Sequence, residues 1–245
     1  MSRGAAAQFV AGLGLGLCAV LLLGDHMGAR SSGSVVQSAR RSRIRSRLPP
    51  RPDWSNRRAV LQQAFQWARR WVPYFECADA DITTAYYYRW RVFWLHLRRT
   101  PRYGWVLTEF LRDVPWSGPH GTINCAFGHH AAEGRWVKDR AVLDNYSHFW
   151  FRHPQASLRY TWWPAQSALE RFRVDGRRSR LAQLRPHLEQ EYWRWVGRSV
   201  VGTGSTRCVW QACHDDGEEN SVGLDGCRPT INAAIAGEAL ALSTM

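Results

Sequence analysis

The strongest constraint on this chain is a helical apolar stripe that recurs from residue 56 onward. "SNRRAVLQQAFQWARRW" places Val60, Ala64, Trp67 and Trp71 on one face, at spacings of four, three and four. "DADITTAYYYRWRVFWLHLRR" follows, with Asp79 or Asp81 as its N-cap and a dense aromatic stripe. Residues 139 to 152, 158 to 172 and 177 to 196 read as three more helices, the last two joined by the turn "VDG". Pro164 and Pro186 fall inside these patterns and are expected to kink or delimit them. Pro229 opens a final helix over "TINAAIAGEALALS". Short connections between amphipathic helices imply antiparallel neighbours, so the expectation is an all-α domain of stacked hairpins. Little strand is expected outside the 103 to 125 region. Two long aromatic stretches, 100 to 136 and 197 to 226, interrupt the helices, and such loops are where a helical scaffold usually carries its chemistry.

The first fifth of the chain is different. Residues 5 to 24, "AAAQFVAGLGLGLCAVLLLG", hold no charge and are long enough to span a bilayer behind Arg3. We read 1–29 as a signal anchor or signal peptide, which places the bulk of the chain in the ER or Golgi lumen or outside the cell. The arginines from Arg40 to Arg47 oppose that orientation, because positive charge beside a span prefers the cytoplasm. Residues 30–53 are rich in Arg, Ser and Pro and form a stem. The folded domain occupies 54–245.

Net charge is +13, but eight arginines and one aspartate lie within residues 1 to 51, so about half of it sits outside the folded part. The remaining arginines are scattered among aromatics and acids, and no zinc-finger, RNP-like or continuous basic-helix pattern is present. Nucleic acid is therefore not an expected partner. Fourteen tryptophans leave two readings open: an aromatic core, or exposed ring faces that suit sugars.

Five cysteines lie beyond the apolar run. Cys208 and Cys213 could pair across a short loop with Cys227 nearby, as an oxidising lumen permits. No metal site is expected: no CxxC pair occurs, and "HHAAEG" lacks the spacing of a helical zinc motif. No cofactor motif occurs either. "NYS" at Asn145 is a formal glycosylation sequon inside a helical pattern.

One stretch stands against the basic background. Asp215, Asp216, Glu218, Glu219 and Asp225 fall within eleven residues, a quarter of all the carboxylates. Like charges this close need partners or raised pKa values. Either the stretch is a solvated acidic loop, or one carboxyl is kept neutral for acid catalysis.

Three segments, "YFECADADITTAYYYRWRVFWLHL", "GTINCAFGHHAAEGRWVKD" and "DDGEENSVGLDGCRPTINAAIAGEALAL", occur in that order. Together they resemble six-hairpin glycosidases related to mannosylglycerate hydrolase, processing α-glucosidase I and trehalase, over about residues 72 to 242. The resemblance implies an (α/α)6 toroid with a sugar site at its funnel, and inverting hydrolysis of an O-glycosidic bond by two carboxylic acids. In "GEENS" it puts Glu219 at the general-acid position, with Asp216 second. It implies that Arg89, Trp90, Glu109, Trp116, His129, His130, Glu133, Arg135, Trp136 and Arg228 position a carbohydrate substrate. Trp90 and Trp136 would stack on sugar faces, and Arg89, Arg135 and Arg228 would bind hydroxyls or hold the acid loop.

Fewer than 200 residues follow residue 54, enough for six or seven helices where a full toroid has twelve. The expectation is an incomplete toroid whose general base is not in this chain, so that 1–245 alone shows no turnover. Unpartnered helix faces would favour self-association. Two other readings stay open: a non-catalytic sugar-binding remnant, and a membrane-tethered structural or interaction protein.

Overall fold

The computed structural model describes residues 57–112, 114–153, 158–216 and 224–245. The apolar run at 5–24, the stem at 30–53 and the acid-loop residues 217–223 lie outside these. Among the described residues no helix is long and apolar enough to cross a membrane.

Among the described residues seven α-helices make up most of the fold: α1 (Arg57–Trp71), α2 (Ala80–His96), α3 (Phe127–Gly134), α4 (Ala141–Arg152), α5 (Pro164–Asp175), α6 (Arg178–Ser199) and α7 (Pro229–Thr244). α1 packs on α2, α3 on α4 and α5, and α5, α6 and α7 pack on one another. The stripe of α1 is the buried one, with Val60 and Ala64 inside and Trp67 stacked on Phe93 of α2. Asp79 caps α2, its carboxylate accepting from the N–H groups of Asp81 and Ile82 at 2.9 and 3.3 Å.

The fold is not purely helical. Leu97–Thr100 (β1) pairs antiparallel with Gly104–Leu107 (β2), in the register Leu97↔Leu107 to Thr100↔Gly104. The helical pattern of residues 79 to 99 therefore ends early, at His96. Val106 and Leu107 are fully buried under α4, so the hairpin is part of the core. Gly104 sits at φ +70°, and a Cβ there would overlap the Asn145 side chain, whose Oδ1 accepts from Trp105 N–H at 3.1 Å. The sequon carboxamide is thus engaged beneath the hairpin. A second pair, Val200–Val201 (β3) with Cys208–Val209 (β4), lies beside α6.

The main core gathers Trp90, Phe93, Val106, Leu107, Phe127, Val142, Tyr146, Phe149, Trp150 and Trp162. Much of the aromatic excess is therefore packing, in tilted and edge-on contacts such as Trp150 on Trp162 at 6.1 Å.

Residues 158–163 are not helical; α5 begins at Pro164, in its first turn. Proline biases the preceding residue toward extended backbone, and its missing N–H costs nothing at a helix start. Pro186, by contrast, sits inside α6. Gly176, left-handed at φ +66°, ends α5 and turns the chain into α6. The start of α5 has an unusual partner. Glu238 of α7 accepts the N–H groups of Ala165 and Gln166 at 2.8 and 2.9 Å, a cap supplied from a distant helix. Burial pushes the Glu238 carboxyl up to about 7, against these two hydrogen bonds and helped by nearby Glu191.

Candidate active site

The chain segments on either side of residues 217–223 are fastened to each other. Cys208 is bonded to Cys227, not to Cys213, with the Cα atoms 5.7 Å apart. This corrects the Cys208–Cys213 alternative: the bridge between Gln211 and Gly226 brings Cys227 back toward β4, which carries Cys208, whereas Cys213 is a free thiol. Gln211 and Gly226 exchange backbone hydrogen bonds at 2.8 and 3.0 Å, and Cys213 N–H donates to Asp225 Oδ1 at 2.9 Å. That hydrogen bond is the main reason the Asp225 carboxyl lies below its ordinary value.

Arg228 completes the closure. Its Nε donates to the Asp216 carboxylate, and its Nη1 donates to the Leu224 carbonyl at 3.0 Å. One guanidinium therefore touches the last described residue before the 217–223 segment and the first one after it. Both side chains of the ion pair are buried, 1% and 6% exposed for Asp216 and Arg228. Asp215 is paired with Arg159 at 2.8 Å. The like-charge crowding of the acidic stretch is relieved by partners at each described carboxylate: arginines at Asp215 and Asp216, a backbone N–H at Asp225. Glu218 and Glu219 lie outside the described residues. Asp216 faces Arg228 and is closed off from solvent, a counter-ion's position.

A second group of expected residues surrounds α3. His130 Nδ1 lies 3.0 Å from the Tyr146 hydroxyl, which lies 3.3 Å from Thr122 Oγ1. Burial lowers the His130 pKa to about 3, with His96, His129 and Arg89 adding to the effect, so the ring is neutral at ordinary pH. Burial raises the Tyr146 phenol, and Glu109 is close enough to add to this. On the outer side of α3, Arg89 Nε donates to Glu133 Oε1 at 3.0 Å. His129 meets the Trp163 indole edge-on at 5.0 Å. Arg135 donates to Glu170 at 3.2 Å and lies over the exposed Trp136 ring. Trp116, 60% exposed, rests its edge on Phe110.

Trp90 corrects an expectation. It is buried in the main core between Trp67, Tyr86 and Phe93, so packing leaves no open face for a sugar. Its position on the α2 stripe puts it among the rings facing α1, whereas Trp116 and Trp136 do present exposed surface.

The strap at 158–163, read as helix from its sequence, joins the two groups. Asn124, just ahead of α3, donates to the Tyr160 carbonyl at 2.7 Å and accepts from Tyr160 N–H at 3.3 Å. The next residue, Thr161, donates its N–H to the Asp215 carbonyl at 2.9 Å and its hydroxyl to Gln211 Oε1 at 2.6 Å. Trp162 Nε1 donates to buried Glu191 at 2.8 Å, and Trp163 packs on Gly128 of α3. Asn124, Tyr160, Thr161 and Gln211 were not expected site residues. Trp163 preceding Pro164 was the available signal that this stretch is extended.

Metal-ligand geometry is sparse. Cys213, His214 and Asp225 offer ligand atoms within 4.8 Å of one another, one short of the four that close a structural zinc site. Asp225 already accepts the Cys213 N–H.

A solved structure named "Sialidase" is similar to this chain at 33% sequence identity and a TM-score of 0.69. The similarity covers 75% of this chain but 17% of that one, so the chain spans about a sixth of its solved relative. A comparison with curated proteins finds no match. The profile of the mannosylglycerate hydrolase MGH1-like glycoside hydrolase domain matches residues 118–245, from the turn after Trp116 through α3 and the strap to the end of α7. That span holds His129, His130, the whole fastened acid loop and Arg228, and on it the chain belongs to the MGH1-like glycoside hydrolase family.

Proposed function

We propose that this domain is part of an inverting O-glycoside hydrolase of (α/α)6 toroid type, with Glu219 as the proton donor to the leaving oxygen. The observation that carries the reading is the family match over 118–245, which contains "GEENS" and the fastenings at both ends of its loop. Arg228 and Asp216 neutralise each other, so the pair leaves no uncompensated charge next to the segment that carries Glu219 in the sequence. Glu219 is the first choice over Asp216 because the Asp216 carboxylate is already committed to Arg228.

The substrate is an oligosaccharide or glycoside, for which exposed Trp116 and Trp136 offer ring faces and Arg89, Glu109, His129, Glu133 and Arg135 offer polar contacts. No carboxylate of this chain is assigned as the water-activating base. We further propose that residues 5–24 tether the domain in a secretory lumen, a compartment in which the Cys208–Cys227 disulfide is stable. The solved relative is a much longer chain, and its likeness to this one does not choose the sugar.

The test is Glu219→Gln in a form that hydrolyses glycosides. The amide keeps the shape but cannot release a proton, so the rate on unactivated glycosides should fall about 10²-fold or more. Aryl glycosides with good leaving groups need little protonation and should lose much less. An equal loss on both substrate types would assign Glu219 a positioning role and return Asp216 to consideration.

A further inference from the structure

Four arginines and two aspartates meet between α4, α5 and the start of α6. Asp144 is bonded by Arg171 and Arg177 at 2.7 Å each and by Arg180 at 3.1 Å. Asp175 is approached by Arg171 at 3.3 Å, Arg177 at 3.2 Å and Arg140 at 3.9 Å. Four guanidiniums against two carboxylates leave two positive charges in excess. The imbalance is felt nearby: His148 is lowered to about 4, first by burial and then by Arg180, Arg152 and His187. Burial alone would raise Asp144, but Arg177, Arg171 and Arg180 more than reverse that and hold it below its ordinary value.

Arg171 is the innermost member, 6% exposed. Its Nε faces Asp175, and its Nη2 reaches Asp144 and, at 3.1 Å, the Arg140 carbonyl. Its Nη1 is buried with no hydrogen-bond partner among the described residues. Burial lowers the Arg171 pKa, against the pull of Asp144 and Asp175. A buried N–H of a charged group is costly to leave unmet.

Arg171, Asp175, Arg177 and Arg180 border a cavity of about 20 Å³. The rest of its lining is mainly apolar, including Leu143, Ala168, Phe172 and Leu184, with Ser147 and Ser167 beside them. The innermost space holds one body of about the size of a water molecule. A buried water needs two to four polar partners. The polar groups in the lining could meet that need, so what favours a monoatomic anion over water is the excess of positive charge around Arg171. We propose that this cavity is a halide site, filled by chloride, with Arg171 Nη1 as its principal donor. The bound ion closes the electrostatic gap between α4, α5 and α6, and so links the domain's stability to chloride.

The test is the thermal midpoint of the purified full chain across chloride concentrations, with gluconate holding ionic strength constant. Above the dissociation constant, each tenfold rise in chloride should raise the midpoint by about 3–5 °C. Ala168→Leu fills the cavity without touching a charge and should fold while losing the chloride dependence. Arg171→Met should lose it too; if that variant fails to fold, Ala168→Leu still decides. Bromide soaked into crystals should give an anomalous peak beside Arg171 Nη1. No chloride dependence in the unaltered chain would mean water alone fills the space, and dependence that survives in Ala168→Leu would place the ion elsewhere. Either result overturns the proposal.

Discussion

Arg228 and Asp216 form a buried ion pair across the neck of the acid loop, and the same guanidinium reaches the Leu224 carbonyl on the far side. Removing the arginine would leave a carboxylate in the interior without its counter-charge. Arg228→Met should therefore destabilise the domain by about 3–5 kcal/mol, measured by urea unfolding. Asp216→Asn in the Arg228→Met background should recover part of that loss. A variant within about 0.5 kcal/mol of the native chain would mean that the pair does not hold the loop.

Glu238 makes stability depend on pH in a direction opposite to that of an ordinary salt-bridged carboxylate. Its folded pKa, about 7, lies above the unfolded value of 4.5. Its contribution is fully present below pH 4.5 and is lost as pH rises through 7, because the unfolded chain releases the proton first. Buried histidines such as His130 act the other way below pH 6.5, so the informative quantity is a difference between chains. Against the native protein, Glu238→Gln should gain up to about 3 kcal/mol between pH 4.5 and pH 8. At pH 4.5 it should be the weaker of the two, since its amide cannot accept from both Ala165 and Gln166. Urea midpoints across this range check it; a constant difference would show that Glu238 titrates normally.

Much of the helical frame was legible because its signals are local. The α1 stripe, the Asp79 cap and the α5–α6 turn all follow from spacing and residue type within a few positions. Of the β1–β2 hairpin, β2 falls in the 103 to 125 region where strand was expected, but β1 was hidden because "LHLRRT" continues the helical pattern and is diverted only when Val106 and Leu107 are buried against α4. The burial of Trp90 was hidden for a related reason: a tryptophan on a helical stripe has the same spacing whether the face meets another helix or a ligand. In the site, the acid cluster was conspicuous as composition. Arg228 as a holder of that stretch followed from the resemblance, and its pair with Asp216 agrees. The strap's contacts with Gln211 join residues 50 and 52 positions apart, which periodicity does not report.

Gly128 is needed because Trp163 lies against its Cα, where a methyl group would overlap the indole. Gly128→Ala should cost about 1–3 kcal/mol despite alanine's higher helix propensity. Its tryptophan emission should shift as Trp163 is displaced from α3. Unchanged stability and emission would show that the strap moves aside freely.

Reduction should weaken the loop's base. The Cys208–Cys227 bond closes a separation of 19 residues. A loop of that length corresponds to about 3 kcal/mol of lost chain entropy in the unfolded state. Cys227→Ser should reproduce the loss, whereas Cys213→Ser should leave stability within about 0.5 kcal/mol. Peptide mapping without reductant should recover the 208–227 link; a 208–213 link would overturn the pairing.

The fastening at the neck separates two tasks that loops usually combine. With the disulfide, the Gln211–Gly226 bridge and Arg228 joining the flanks, the two points at which residues 217–223 attach are held by contacts outside those seven positions. Substitutions within 217–223 should therefore leave the helices in place, and a related segment with matching flanks could be transplanted onto the same two stumps.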